Sequence, residues 1–276
     1  MEKAFPATIQ KETDLQKRAR LSIQDVTDSI KNWKLWTTLA WQDIRLRYRR
    51  SALGPLWITI SMAVMIYTLG TVYSFLFKTD IATYFPHVAS GILIWSFISM
   101  STIELVDTFI ESAHFIKQVK LPFTTYILRN LTRNIIVFLH NFLAVCPLLI
   151  YYRIPVHPLA AIGGLCILGC IAFIYGTTLA MLGSRYRDIR QLIQSLLQLI
   201  FYITPVMWMP SMLPERFQFM VKLNPFHQMI ELVRAPLMGK LPSLYTYAFT
   251  CGLLTIGLAF MFFLLTKVRH RIAFWV

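Results

Sequence analysis

Charge is scarce in this chain, and acid scarcer still. Only 14% of the 276 residues are charged, with 13 Asp and Glu against 27 Lys and Arg. So thin a polar coat, with 56% hydrophobic residues and a mean hydropathy of +0.56, excludes a soluble domain. Cysteine is also sparse. Cys146, Cys166, Cys170 and Cys251 all sit inside apolar runs and read as reduced, buried small hydrophobes. Cys166 and Cys170 lie one turn apart, but no His or carboxylate shares their run, so no metal site is expected. Catalytic signatures are missing as well. There is no GxxxxGKS or GxxxxGKT phosphate loop, since Gly239-Lys240 lacks the upstream glycine and is followed by Leu241. Neither HExxH nor GxSxG occurs. We therefore expect no catalytic residues, no metal and no cofactor in this chain. The ionisable groups within the spans, Glu104 and His140, read as a hydrogen-bonded structural pair rather than a proton relay. The first 30 residues lack an apolar core, so no cleavable signal peptide is expected.

What is present is an alternation of long apolar runs and basic loops. The net charge of +14 invites a nucleic-acid reading, but its distribution opposes one. Eleven Lys and Arg precede Pro55, four lie between Thr108 and Asn134, three in Ser184–Arg190 and three after Leu265. That pattern fits the positive-inside rule with both termini cytoplasmic. The expected fold is all-α and polytopic, with six transmembrane helices over about 56–77, 88–106, 135–152, 159–183, 192–209 and 244–265. In the fourth span Ala172, Gly176 and Ala180 recur every four residues, a spacing that lets helix backbones approach closely. The fifth carries Gln194, Gln198, Tyr202 and Thr204, and Pro205 should kink it. Polar groups in a span rarely face lipid, so this span should border a path. Between the last spans, residues 211–241 hold two short helical patterns. The second is opened by Asn224 as N-cap and Pro225 at the first position, with His227, Gln228, Glu231 and Arg234 on its polar face. Together they suggest a re-entrant outer hairpin.

Before the first span, residues 31–55 form an amphipathic pattern. Lys31, Lys34, Thr38, Gln42, Arg45 and Arg49 make one narrow polar stripe, while Trp33, Trp36, Leu39 and Ile44 lie on the broad apolar arc. This predicts an interface helix on the cytoplasmic side, edged by Arg45, Arg47, Arg49 and Arg50; a plain stop-transfer flank is the alternative. Asp43 and Arg47, four apart with the acid first, are expected to pair. The resulting organisation is a loosely held polar arm (1–30), the interface helix (31–55), the transmembrane domain (56–265) and a cytoplasmic tail (266–276).

A family resemblance follows from five stretches in order. They are Arg47-Tyr-Arg-Arg-Ser-Ala-Leu-Gly-Pro-Leu-Trp57, Phe115-Ile-Lys-Gln-Val-Lys-Leu-Pro122, Tyr186-Arg-Asp-Ile189, Thr204-Pro-Val206, and Leu223-Asn-Pro-Phe226 through Ile230-Glu-Leu-Val-Arg234. With six spans they resemble ABC transporter permeases that export polysaccharides and polyol phosphates. The resemblance implies a second copy of the chain and two copies of a separate ATP-binding cassette subunit, which would carry ATP and Mg. It implies a lipid-linked polysaccharide, O-antigen-like or capsular, moved across the bacterial inner membrane. It also makes residues 111–122 a coupling segment, with Phe115 as plug among Glu111, His114, Lys117, Gln118, Lys120 and Pro122, and Arg187 and Asp188 in support. Tyr67, Tyr73, Phe97, Gln198, Phe201, Tyr202 and Trp208 are candidates to line a sugar path. Asn224, Pro225, Glu231 and Arg234 would form an outer gate. Two alternatives are a small-molecule or drug exporter of the same architecture and a polyprenyl-linked glycosyltransferase or ligase. The latter would act through Glu215, Glu231 and Arg234.

Overall fold

The computed structural model describes residues 14–276, and every regular element among them is helical. The first helix, α1 (Asp14–Lys31), and α2 (Trp33–Arg47) meet at Asn32 and precede the first long apolar helix, α3 (Leu56–Leu76). The expected loose arm is therefore, from Asp14 on, a helix docked on the bundle; its first 13 residues lie outside the described part. Asp25 explains the docking. Its carboxylate accepts hydrogen bonds from the amides of Phe123 and Thr124 at 3.1 and 3.0 Å, and from Arg269 Nε at 2.9 Å.

The central element is α4 (Ile81–Val106), capped by Asp80 and buried along most of its length. It starts seven residues earlier than the sequence suggested and runs through Pro86 in its second turn, where the missing N–H costs one intrahelical bond. Two short pieces follow, α5 (Thr108–Glu111) and α6 (Ala113–Gln118), separated at Ser112. Then α7 (Phe123–Tyr151) runs antiparallel to α4: Asn130 bonds Thr108, Arg133 bonds Glu104, and Phe138 packs edge-on against Phe97. The return helix α8 (Pro158–Arg185) lies against α4. A Cβ at Gly176 would overlap Leu105, so the small-residue stripe does set that close approach. The same helix meets a later one at Gly164, where a Cβ would overlap the Leu232 carbonyl.

The fifth apolar run does not form one long helix. α9 (Ile189–Ile203) stops at 15 residues, about 22 Å at ~1.5 Å per residue, short of a ~30 Å bilayer core. Pro205 ends it rather than kinking it, because the residue before a proline is driven into extended backbone, and Thr204 has ψ 135°. After short turns come α10 (Gln218–Leu223), α11 (Pro225–Leu237) and α12 (Leu244–Trp275). Asn224 caps α11, its Oδ1 accepting from the Phe226 and His227 amides. Among the described residues five helices, α3, α4, α7, α8 and α12, are long and apolar enough to cross a membrane, against six expected spans. The bundle has two ends, one bearing α5, α6 and the α8–α9 loop, the other bearing α11.

Candidate functional site

At the α6 end, the elements before the bundle are held by ion pairs. Asp43 on α2 receives Arg129 through Nε at 2.8 Å and Nη2 at 2.5 Å, and Arg133 at 3.5 Å. Arg133 also reaches Glu104 at 2.8 Å, and Arg47 comes back to Glu104 at 3.5 Å. So Asp43 and Arg47 do not pair with each other, and Glu104 does not pair with His140, whose Nδ1 meets the Ile136 carbonyl at 2.8 Å. The reason is packing. α2 lies along α7 through Ala40 and Ile44, which places Asp43 opposite arginines the sequence alone could not bring near. The rest of α2 stays open, with Trp33, Trp41 and Leu46 exposed, while Trp36 turns inward and donates its indole N–H to the Ser29 carbonyl. Arg45 is exposed on the helix, and Arg49 and Arg50 fall in the turn beyond its end.

The candidate coupling segment projects from this clamp. Ile116 anchors it among Phe109, Ile127 and Ile272, while His114, Phe115, Lys117, Gln118 and Lys120 are exposed. The helix ends at Gln118, and an extended stretch runs to Pro122, so the proline opens α7 instead of stopping α6. The Phe115 ring is half-exposed, with the Arg129 guanidinium 5.7 Å from its centre. Burial lifts the Glu111 carboxyl above its ordinary range; Arg133 and Arg190 oppose that shift, and Asp107 and Glu104 add to it. In the α8–α9 loop, Arg187 and Asp188 are exposed, and Arg190 pairs with Asp107.

Between α3, α4 and α9 lies a cleft of about 360 Å³ lined by Met65, Trp95, Ser96, Ser99, Gln194, Gln198 and Phe201 among others. It brings together two of the expected path residues, Gln198 and Phe201. Tyr67 packs edge-on against Phe85, Tyr73 lies tilted against Phe77, and Tyr202 is exposed beside Phe201. Trp208 donates its indole N–H to the Tyr202 carbonyl. Phe97 is elsewhere, buried against Phe138 and outside this cleft. Sequence reasoning missed Trp95, Ser96 and Ser99; their spacing on one α4 face was the available signal. Gln191, Gln194, Ser195, Gln198 and Tyr202 form one exposed stripe along α9.

At the α11 end, Arg234 is 2% exposed and holds four groups together. It donates to Glu231 Oε1 through Nε at 2.8 Å and to the Pro205 carbonyl through Nη1 at 2.7 Å, with His87 Nε2 and His227 Nδ1 at 3.2 and 3.4 Å. Tyr84 Oη donates to the Met207 carbonyl at 2.5 Å, and Asn224 Nδ2 to Thr204 Oγ1 at 3.0 Å. The irregular backbone between α9 and α11 is satisfied in part by these side chains. The polar face of α11 is thus turned into the bundle, and Glu231 and Arg234 pair with each other.

Residues 34–238 match the family description "ABC-2 type transporter". The chain belongs to that family. As an ABC-2 protein it is an integral membrane protein and the transmembrane subunit of an ABC exporter, the kind that works with an ATP-binding cassette subunit. The matched region takes in α2 through α11 and leaves out α1 and α12. Two relatives, both described as "O-antigen export system permease protein RfbA" from Klebsiella pneumoniae, are each 24% identical over 196 residues. Each alignment covers 68% of this chain and 74% of the relative.

Proposed function

We propose that this ABC-2 subunit exports a lipid-linked polysaccharide, O-antigen-like or capsular, across the bacterial inner membrane as a homodimer served by two ATPase subunits. The observation that carries the reading is the exposed polar stripe of α9, Gln191 through Tyr202, beside the cleft toward α3 and α4. Glutamines at membrane depth do not face lipid, so the stripe is to be covered by a second copy or by a hydroxyl-rich substrate. Aromatic rings such as Phe201 and Trp95 suit the apolar faces of sugars, and the amides and Ser96 and Ser99 suit their hydroxyls. The names of the two relatives support the same substrate class.

In this reading the chain crosses six times. α9 supplies part of the fifth crossing and Thr204–Trp208 the remainder, since that segment follows α4 from Asp107 through Trp95 to His87. Six crossings return both termini to the α6 end, which is the cytoplasmic one. α11 dips back beside α4, with Arg234 at His87 and Phe226 at Trp95, a re-entrant outer element. The segment 111–122 docks the ATPase, and the ATPase carries ATP and Mg.

The test is direct. The purified chain alone should hydrolyse no ATP. Truncating an exposed docking aromatic costs ~2 kcal/mol or more, so Phe115→Ala should weaken ATPase binding roughly thirtyfold and lower surface glycan while the ATPase still turns over. Unchanged glycan in Phe115→Ala cells would remove the docking role, and a deletion strain with normal surface glycan would remove the substrate.

A further inference from the structure

A second cavity lies behind α9, on the side away from the polar cleft. It measures about 290 Å³ and is lined by side chains of α4, α8, α9, α11 and α12. Its floor is Phe97, Ile98 and Leu105 on α4; Ala172 and Tyr175 form one wall, Ile193 and Leu196 the other. Pro225, Phe226 and Met229 close it toward the α11 end. The groove exists because α8 and α9, consecutive in the chain, both pack on α4 and scarcely touch each other. Nearly all of its lining is hydrocarbon, with the Thr102 and Tyr175 hydroxyls as exceptions. A cavity of ~150 Å³ with such walls already takes up benzene. At twice that volume and open sideways within the membrane, this one has no reason to stay empty, since its bare walls would forfeit dispersion contacts that a chain of methylenes restores.

Two further features define the occupant. The lining spans α4 from Phe97 to Leu105, so the groove lies in the half of the membrane nearest the α6 end. At that end it runs toward the loop joining α8 to α9, where Arg187 is exposed within two turns of the lining residue Ile193; Arg185 is turned away, its guanidinium over the Trp275 ring. An apolar slot with an exposed guanidinium near its end matches an anionic headgroup with one alkyl tail.

We propose that this groove binds one acyl chain of an anionic phospholipid from the leaflet at the α6 end, with Arg187 facing its phosphate. The lipid fills the space between α8 and α9, and its tail lies against Phe226 and Met229 at the start of α11. The inference does not depend on which polymer is exported.

The experiment uses the full chain reconstituted in liposomes carrying phosphatidylglycerol with a diazirine near the tail end. After illumination, peptide mass spectrometry maps the adducts. Adducts are expected on Phe97, Ile200, Phe226 and Met229, at several times the yield given by phosphatidylcholine with the same tail. Ala172→Phe, which fills the slot, should cut them several-fold while leaving labelling of the exposed faces of α3 and α7 unchanged. The map of the unaltered chain stands without any variant, should Ala172→Phe not fold. Labelling confined to α3 and α7 would overturn the proposal, as would equal yields from the two lipids. Loss of the adducts on adding polyprenyl phosphate would overturn it too, by assigning the slot to an isoprenoid chain. So would benzoylphenylalanine at Leu196 joining two copies of the protein, since a protomer would then cover the groove.

Discussion

At the scale of single residues, Asp25 does the most with the least. It lies outside the matched ABC-2 region, on a helix whose buried positions are Ser22, Asp25 and Ser29 rather than aliphatic side chains. An ionised carboxylate that is fully buried needs complete compensation. It gets this from the two leading amides of α7, the Thr124 hydroxyl and Arg269. It therefore caps one helix from another and ties both to the chain's last helix. Removing it strands the α7 amides and Arg269 together, and breaking a buried pair of this kind costs ~3 kcal/mol or more. Asp25→Ala should lower stability by about that much in detergent unfolding curves, and Asp25→Asn by less, because one oxygen can still accept from the amides. Asp14→Ala, which breaks the exposed pair with Arg18, should change it by under ~1 kcal/mol. An Asp25→Ala curve overlying that of Asp14→Ala would mean that α1 is not docked through this residue. Nothing in the sequence near Asp25 announces the role, since its partners are 98 and 244 residues away.

At the scale of elements, the clamp on α2 shows why local pairing rules gave way. A surface Asp43–Arg47 pair at i, i+4 is worth only ~0.2–0.5 kcal/mol. Once α2 packs along α7, the half-buried Asp43 meets Arg129 through two guanidinium nitrogens, a stronger arrangement. Asp43, Arg133, Glu104 and Arg47 then form one chain of charges joining α2, α7 and α4. We expect Asp43→Asn and Arg133→Gln to be non-additive in unfolding measurements, with a coupling of ~0.5–3 kcal/mol. Simple additivity would show that α2 is held by its apolar contacts alone. The same comparison explains what could be read in advance. Long apolar runs fixed five helices, because length and composition suffice for a span. Asn224-Pro225 marked the start of α11, because cap chemistry is local. The helical docking of α1, the exchange of ion partners and the inward turn of the α11 polar face were not legible, since each depends on which helix lies opposite.

For the whole molecule, the question is what a single chain leaves uncovered. Most of α4 is buried, whereas α9 buries Leu197 alone and α3 buries one narrow stripe, Met62, Ile66, Gly70 and Ser74. The sequence pointed to this surface through its polar fifth span, but the cleft itself needed α4, whose Trp95, Ser96 and Ser99 complete it. Apolar exposure on α3 is compatible with lipid. The amides of α9 are not, and their burial is what a second copy would supply. The two copies would then meet across the α9 stripes, with the clefts facing each other. Gln198→Cys, in a chain whose four cysteines are replaced by alanine, should therefore form an intermolecular disulfide on mild oxidation in native membranes. Leu139→Cys, exposed on the far face of α7, should not. A dimer through Leu139→Cys with none through Gln198→Cys would put the seam on the wrong side of the bundle, and the cleft beside α9 could then no longer be the wall of a shared path.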